Sequence, residues 1–258
     1  MSHGGESIVK IHEFCPEKIP QSCTFLIFGP PGSGKSTFMK NMMFYNRHRY
    51  PVGRAWCGSE TFYKEMQDIM HPLYVTNDFN EEEIKTHIVR QKTLSMQTNT
   101  SDKNNSAILV IDDCCNDRRD FKTPLMRGIF KNGSQHYNQL CMVGTQFPVD
   151  IPKEIRSAAS YVVVFKYPNP DDLQTVYRNF GGMAGSFQEF KQLMEQVTGD
   201  YTCLIFNNRL ALQTSDKSKL ISYYKTQVMP NNFTIGCREY REHAKARYNK
   251  RYQDIIDI

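Results

Sequence analysis

The chain alternates short runs of consecutive apolar residues with longer stretches whose apolar positions recur every three or four residues. Near-continuous apolar runs of this length are typical of strands in a sheet that is covered on both faces. The runs that predict such strands are CTFLIF (23–28), AILVIDD (107–113), QLCMVGTQ (139–146) and ASYVVVFKY (159–167). RAWCGS (54–59) predicts a shorter strand, and YTCLIFNN (201–208) with LALQTS (210–215) predicts a terminal hairpin.

Stretches with helical periodicity lie between these runs. They are a helix after the first strand that ends near Tyr45, DFNEEEIKTHIVRQKTLSMQ (78–97), PLMRGIFKNGSQH (124–136), PDDLQTVYRNF (170–180) and SFQEFKQLMEQV (186–197). Asn80 is the predicted N-cap of the second helix, with Glu83 three residues later. Strands that alternate with helices predict an α/β fold, a three-layer sandwich with a mostly parallel central sheet and helices on both faces.

Domain organisation follows from the absence of an internal repeat or a linker rich in Pro, Gly or Ser. We expect a single domain over residues 1–258. A short N-terminal extension (1–20) and a basic C-terminal segment (238–258) flank its core.

Composition indicates the cellular compartment of the protein and the state of its cysteines. The 258 residues are 40% hydrophobic and carry a net charge of +5, which permits an anionic partner. No apolar run approaches the roughly 18 residues that span a bilayer, and the N-terminus lacks a signal-peptide pattern, so we expect a cytosolic protein with no integral membrane segment. The eight cysteines follow no disulfide framework and form no CxxC, which predicts reduced structural thiols rather than a zinc site.

One continuous segment carries a strong chemical signal, the pattern GxxxxGK[ST] between a strand and a helix. The residues that match it are Gly29, Pro30, Pro31, Gly32, Ser33, Gly34, Lys35 and Ser36. Glycines let backbone N–H groups converge on phosphate oxygens, and the positive end of the helix points at them. We expect Lys35 to reach the β- and γ-phosphates of ATP, Ser36 to bind Mg²⁺ and Thr37 to contact the α-phosphate. The alternative, a chance Gly-rich turn, does not explain the strand before it and the helix after it.

Two further predicted strands end in polar residues that suit nucleotide hydrolysis. We expect Asp112, at the end of ILVIDD, to hold Mg²⁺ directly or through water, and Asp113 to orient or deprotonate the attacking water. Gln146 ends LCMVGTQ and is expected near the γ-phosphate, because ligands of open α/β sheets sit at the carboxyl ends of strands. Structural alternatives stay open for two of them: Asp113 could cap the following turn, and Gln146 could bond to loop backbone.

Together, GPPGSGKST, ILVIDD and VGTQFPVDIPKEIRSAASYVVVF resemble the DNA-packaging ATPases of large eukaryotic (nucleocytoplasmic) DNA viruses, of the poxvirus type. These belong to the FtsK–HerA group of P-loop ATPases, and the chain is most similar in character to algal-virus members. The resemblance covers roughly residues 20–170. It implies a RecA/FtsK-like P-loop NTPase fold whose ATPase centre contains Lys35, Ser36, Asp112, Asp113 and Gln146.

The resemblance also implies a cellular role. Such proteins form a ring-shaped homo-oligomer that threads double-stranded DNA into a preformed capsid, with a capsid or portal component as a partner. The implied location is the host cytoplasm at sites of virion assembly, with the virion itself as a second location.

One departure from the family pattern leaves a role open. The family often has Gly-Arg-His before the strand that ends in Gln, whereas this chain has Ser134 and Gln135 before a retained His136. Ring ATPases generally receive an arginine from a neighbouring subunit, because the charge that develops on the γ-phosphate needs a cation. Arg156 is the first candidate for this arginine and Arg127 the second.

The C-terminal segment combines basic and aromatic residues. Six Lys or Arg residues lie between 238 and 251 against two Glu, and Tyr240, Tyr248 and Tyr252 are interleaved with them. Such residues could contact the phosphates and bases of DNA. The alternative is an amphipathic helix with a solvated basic face and tyrosines that pack on the core.

Other classes of nucleotide-binding protein compete with a DNA translocase. A small-molecule or nucleoside kinase usually has an Arg-rich lid over the phosphates, and NDRRDFKTPLMR is only weakly similar to one. A GTPase needs a guanine-binding motif of the Asn-Lys-x-Asp type after a strand, and the sequence has none at a suitable place. A helicase is another nucleic-acid-dependent ATPase that the pattern allows, and a non-enzymatic module would leave Asp113 and Gln146 without a role. The sequence therefore favours an ATP-hydrolysing DNA translocase that packages a viral genome.

Overall fold

The computed structural model describes residues 11–97, 104–114, 120–146, 151–230 and 232–248, apart from the side chains of 133–135. Within these ranges the chain forms one sheet of nine strands. The strands are β1 (His12–Glu13), β2 (Cys23–Phe28), β3 (Val52–Cys57), β4 (Val75–Thr76), β5 (Ala107–Asp112), β6 (Gln139–Thr145), β7 (Tyr161–Val164), β8 (Thr202–Asn207) and β9 (Ile221–Lys225).

Helices cover both faces of this sheet. They are α1 (Lys35–Asn46), α2 (Glu60–Met70), α3 (Glu81–Met96), α4 (Pro124–His136), α5 (Lys153–Ala158), α6 (Pro170–Phe180), α7 (Phe187–Val197), α8 (Lys217–Leu220) and α9 (Arg238–Arg247). Successive side chains of a strand point to opposite faces. In β2, Phe25 and Ile27 join a core with α1 and α2, whereas Leu26 and Phe28 join a second core with α3 to α7.

The order of the strands decides which residues meet at the edge of the sheet. The order is β1-β9-β8-β7-β2-β6-β5-β3-β4, and the strands from β7 to β4 are parallel. The carboxyl ends of β2, β6, β5 and β3 therefore meet at one edge. Strand β8 is antiparallel to β7, so its first residue lies at this same edge.

Most of the predicted elements are confirmed. Asn80 caps α3 as expected, since its side-chain oxygen accepts a hydrogen bond from the N–H of Glu83 at 3.1 Å. The predicted terminal hairpin is wrong in its second strand: β8 pairs with β9, and residues 209–213 form turns. Leu212 is 98% exposed, whereas Leu210 is partly buried against the core, so the apolar residues of LALQTS do not form one buried face.

The two chain extensions contribute to the fold where they are described. In the predicted N-terminal extension, β1 adds a parallel strand beside β9, and Phe14 packs against the core. In the C-terminal segment, Tyr240 is buried, stacks on Tyr74 with ring centroids 4.1 Å apart, and donates a hydrogen bond to the Gly53 carbonyl at 2.7 Å. Tyr240 is thus a packing residue, as the amphipathic-helix alternative predicted.

Two further findings concern membrane-spanning helices and the cysteines. None of the described helices has both the length and the apolar character needed to cross a lipid bilayer. The seven cysteines inside the described ranges are free thiols, and burial raises the pKa of several of them, including Cys57 and Cys141.

Candidate active site

Residues 29–37, the phosphate loop, join β2 to α1 through a turn that needs glycine. Gly32 and Gly34 have φ angles of 73° and 111°, in the left-handed region that side chains disfavour. A Cβ on Gly29 would lie 2.4 Å from Ser33 Oγ and 2.8 Å from Phe165 Cβ. Helix α1 begins at Lys35, so its first N–H groups lack helical partners and face the loop. The loop therefore has the geometry of an anion site.

Lys35 lies inside the loop rather than in solvent, with 5% of its surface exposed. Its Nζ donates to the carbonyl of Gly29 at 2.9 Å and contacts that of Pro30 at 3.4 Å. The same nitrogen lies 3.4 Å from Asp113 Oδ2. The ammonium group is thus held between backbone dipoles and one carboxylate at the centre of the site.

Ser36 and Asp112 form a second polar pair beside Lys35. Ser36 Oγ donates to Asp112 Oδ2 at 2.8 Å, which joins the start of α1 to the end of β5. Asp112 is 1% exposed, and no described residue donates to its Oδ1. Gly144 of β6 makes room for this oxygen, since a Cβ there would lie 2.2 Å from Oδ1.

The protonation of Asp112 reflects this environment. Burial raises the pKa of Asp112 to about 6, and the nearby charge of Asp113 adds to the rise. The hydrogen bond from Ser36 and the charge of Lys35 oppose it. A carboxylate held in this way gains from any cation that arrives beside it.

The donor set fits Mg²⁺. Ser36 and Asp112 present hydroxyl and carboxylate oxygens, the hard ligands that Mg²⁺ prefers in nucleotide sites. One Asp112 oxygen has no donor among the described residues, so the pair has capacity for a further electropositive partner. These two side chains would hold the ion, with the nucleotide phosphates supplying further oxygens.

Asp113 leaves the strand in a conformation that directs its side chain into the site. Its φ angle is 47°, and its N–H donates to the Gly144 carbonyl at 3.2 Å. On the other side, a Cβ on Gly58 would lie 2.2 Å from the Asp113 carbonyl oxygen. Gly58, which directly follows β3, therefore allows the turn that brings Asp113 to Lys35.

Gln146 follows β6, the strand that lies between the phosphate-loop strand and the aspartate strand. Its carbonyl oxygen accepts a hydrogen bond from the Tyr167 hydroxyl at 2.6 Å. Its side chain lines the same cleft as Lys35 and Asp113. The contact with Tyr167 uses only the main chain, and none of the described residues hydrogen-bonds to the Gln146 amide group.

The space between these groups is a cleft of about 510 Å³, which we call the nucleotide cleft. This size is typical of small-molecule sites, which span about 300–1,000 Å³. Its lining includes residues that sequence reasoning missed, namely Lys40, Gly58, Ser59, Thr61, Phe62, Glu65 and Tyr201. The signal for most of them was the pair Gly58–Ser59 at the end of the predicted strand 54–59; the structure ends β3 at Cys57 and makes Ser59 the N-cap of α2. Tyr201 carried no recognisable signal.

The two candidate arginines lie away from the nucleotide cleft of their own chain. Arg156 is half-buried on α5, with its guanidinium carbon 5.8 Å from the Phe180 ring centroid, and burial lowers its pKa. Arg127 is exposed on α4. Neither is among the residues that line the cleft, so a catalytic role for either would require another subunit. The side chains of Ser134 and Gln135 lie outside the described residues.

The described part of the basic C-terminal segment is α9 with Tyr248. Four of its residues are exposed and basic, namely Arg238, Arg241, Lys245 and Arg247. Arg238 pairs with Glu242 at 2.7 Å, and Arg241 donates to Thr234 at 2.8 Å. Lys250, Arg251 and Tyr252 lie outside the described residues.

Comparison with solved structures identifies the fold. The genome packaging NTPase B204 from Sulfolobus turreted icosahedral virus 2, in complex with ATP-gammaS, aligns with a TM-score of 0.54 and 16% identity over 81% of this chain and 100% of B204. The pCW3 conjugation coupling protein TcpA, with ATPgS, aligns with a TM-score of 0.56 and 12% identity over 88% of this chain and 65% of TcpA. The predicted P-loop ATPase fold is therefore confirmed.

Comparison of sequences identifies a homologous protein. No protein-family model matches the chain. Uncharacterized protein 075L of Invertebrate iridescent virus 6 is 35% identical over 228 residues, which cover 88% of this chain and 86% of that protein. An identity of this size over nearly the whole of both chains establishes common descent, and the chain therefore belongs to the same family of viral proteins as protein 075L of Invertebrate iridescent virus 6.

Proposed function

We propose that this protein is an ATP-hydrolysing double-stranded DNA translocase that packages a viral genome into a preformed capsid. One observation carries the proposal: the ends of β2, β5 and β6 bring the phosphate loop, Asp113 and Gln146 to one cleft, and the buried Asp112 is hydrogen-bonded to Ser36 in its lining. Asp113 lies beside Lys35 at 3.4 Å, next to the position where the last phosphate of ATP would sit. A nucleotide carrier without hydrolysis would have no use for that carboxylate.

The arrangement of residues suggests how hydrolysis would proceed. In our proposal, the N–H groups at the start of α1 bind the phosphates, and Lys35 exchanges its contact with Asp113 for a phosphate oxygen. Asp113 is then free to accept a proton from the attacking water, which the Gln146 amide orients. Ser36 and Asp112 would hold Mg²⁺, which would neutralise part of the phosphate charge.

The nucleic-acid part of the proposal rests on charge and on similarity of fold. Exposed basic residues on α9 suit contact with DNA phosphates, and the solved structures with this fold include a genome packaging NTPase. We propose a ring of identical subunits in which Arg156, or failing it Arg127, reaches the cleft of a neighbour. A capsid or portal component would be its partner at sites of virion assembly in the host cytoplasm, and a packaging ATPase of the poxvirus type would be its functional class.

The test is steady-state ATPase activity as a function of protein concentration, with and without duplex DNA. We expect Mg²⁺-dependent phosphate release that duplex DNA accelerates and that rises more than linearly with protein concentration. Lys35→Ala should abolish it, whereas Lys64→Ala, an exposed lysine paired with Glu60 on α2, should not. Transfer of phosphate to a nucleoside without DNA dependence would replace the proposal with a kinase. An ATPase that single-stranded nucleic acid stimulates instead would indicate a helicase.

A further inference from the structure

Tyr201 stands at the nucleotide cleft on the side away from the two aspartates. It directly precedes β8, whose first residue lies at the same edge of the sheet as the ends of β2, β5 and β6. Its side chain lines the cleft together with the phosphate loop, yet 59% of its surface is exposed. Within the described residues no aromatic ring stacks on it. An aromatic ring in this position has a free face that a ligand can cover.

The backbone at Tyr201 is in a conformation that glycine would adopt more easily. Asp200 and Tyr201 have φ angles of 48° and 60°, and the Thr202 N–H donates to the Gly199 carbonyl at 2.9 Å. This is a tight turn with two left-handed residues, where the second position strongly favours glycine. A bulky residue kept in a disfavoured conformation points to a use for its side chain.

Neighbouring residues fix the main chain of Tyr201 beside the phosphate loop. Thr226 donates to the Tyr201 carbonyl from its N–H and from its hydroxyl, each at 3.1 Å. Lys225 forms an ion pair with Asp200, the other residue at the centre of the turn. A Cβ placed on Gly34 would lie 3.4 Å from Tyr201 Cδ1. The ring therefore lies beside the start of α1, on a main chain that these contacts hold in place.

The order of the strands along the cleft indicates which part of a bound nucleotide lies next to this ring. Asp113 and Gln146 directly follow β5 and β6, on one side of β2, and the proposed function places the γ-phosphate beside them. Tyr201 precedes β8 on the other side of β2, beyond β7. A triphosphate bound along the loop with its last phosphate at Asp113 must extend its nucleoside towards β7 and β8.

We propose that Tyr201 is the platform on which the nucleobase of the bound triphosphate stacks. This inference rests on the proposed function, since it takes the loop as a triphosphate site. Stacking on an aromatic ring tolerates any base, because every base has a π-face. Tyr201 thus supplies affinity for the nucleoside, independent of the groups that hold the phosphates.

The test separates the base from the phosphates. Calorimetric titrations with Mg²⁺ and AMP-PCP, and with Mg²⁺ and tripolyphosphate, are made on the full chain, on Tyr201→Gly and on Tyr201→Phe. We expect Tyr201→Gly to bind AMP-PCP about 5- to 150-fold more weakly, as loss of one stacked base implies, and tripolyphosphate unchanged. Tyr201→Phe, which keeps the ring, should match the wild type. The nucleotide-free Tyr201→Gly protein should melt at a higher temperature, because glycine relieves the turn.

Each contrary result has a distinct meaning. Equal AMP-PCP affinity in the wild type and Tyr201→Gly would overturn the stacking role and leave the proposed function intact. If Tyr201→Gly lost affinity for tripolyphosphate as well as for AMP-PCP, the stacking role would also be overturned, because Tyr201 would then only support the phosphate loop. If the wild type bound neither probe, the proposed function would fall together with this inference.

Discussion

Asp112→Asn is expected to stabilise the nucleotide-free protein while it removes the metal site. In the folded chain Asp112 is buried and its pKa is about 6, against 3.8 for the free side chain. Raising a carboxyl pKa by about 2 units corresponds to about 3 kcal/mol between its two protonation states. The wild type carries this cost as a buried charge at neutral pH, and the neutral amide of asparagine avoids it.

The sign of the effect gives it a characteristic pH profile. The folded state binds a proton at Asp112 more tightly than the unfolded state, so the contribution of Asp112 to stability is fully present below about pH 4 and is lost as pH rises through about 6. The free energy of unfolding of Asp112→Asn should therefore match the wild type near pH 4 and exceed it by about 3 kcal/mol at pH 7.5.

Urea unfolding from pH 4 to pH 8 in EDTA measures this difference. Asp78→Asn, at an exposed position, is the control and should follow the wild-type profile. The stabilised variant should have lost Mg²⁺-dependent ATPase activity. A gain of the same size at pH 4 and pH 8, or a loss at pH 8, would show that the reasoning about a buried charge is wrong.

Three further predictions concern single contacts. Gly144→Ala should displace the Asp112 carboxylate, because the added Cβ would lie 2.2 Å from Oδ1; we expect at least a roughly tenfold lower ATPase rate, the rate effect of about 1.4 kcal/mol, and an unchanged rate would contradict this. Asp113→Asn should retain AMP-PCP binding by calorimetry and stop turnover, and normal turnover would remove Asp113 from the catalytic groups. Tyr240→Phe removes the donor to the buried Gly53 carbonyl and should lower the free energy of unfolding by about 1 kcal/mol in urea, with ATPase activity retained.

The central strands could be predicted because their signal is local. CTFLIF became β2 with the predicted bounds, since every side chain of that strand is buried. The edge strands could not be predicted in the same way. β1 and β4 are two residues long, and β9 has only two buried positions out of five, which do not alternate, so pairing partners far away in the sequence decide their conformation. The mistaken hairpin arose because LALQTS is closer to β8 in the sequence than ISYYK.

The residues of the candidate site likewise divide into those with a local sequence signal and those that depend on strand pairing. Gly29 to Thr37 form one contiguous motif, and Asp112, Asp113 and Gln146 could be placed because they end recognisable strands. Gly58 and Tyr201 depend on strand order instead. Gly58 reaches the site because β3 pairs with β5, and Tyr201 because β8 runs antiparallel to β7. The pattern of a single sequence does not reveal either pairing.

Because of Tyr240, helix α9 lies at the opposite end of β3 from the nucleotide cleft. Tyr240 anchors α9 to Gly53, near the amino end of β3, whereas the nucleotide cleft lies past the carboxyl end of the same strand. Gly53 and Cys57 are four residues apart on this strand, which places them about 13 Å from each other on one rigid element. A polymer gripped at α9 would leave the mouth of the cleft open, so spent nucleotide could depart and fresh nucleotide could enter while the grip is maintained.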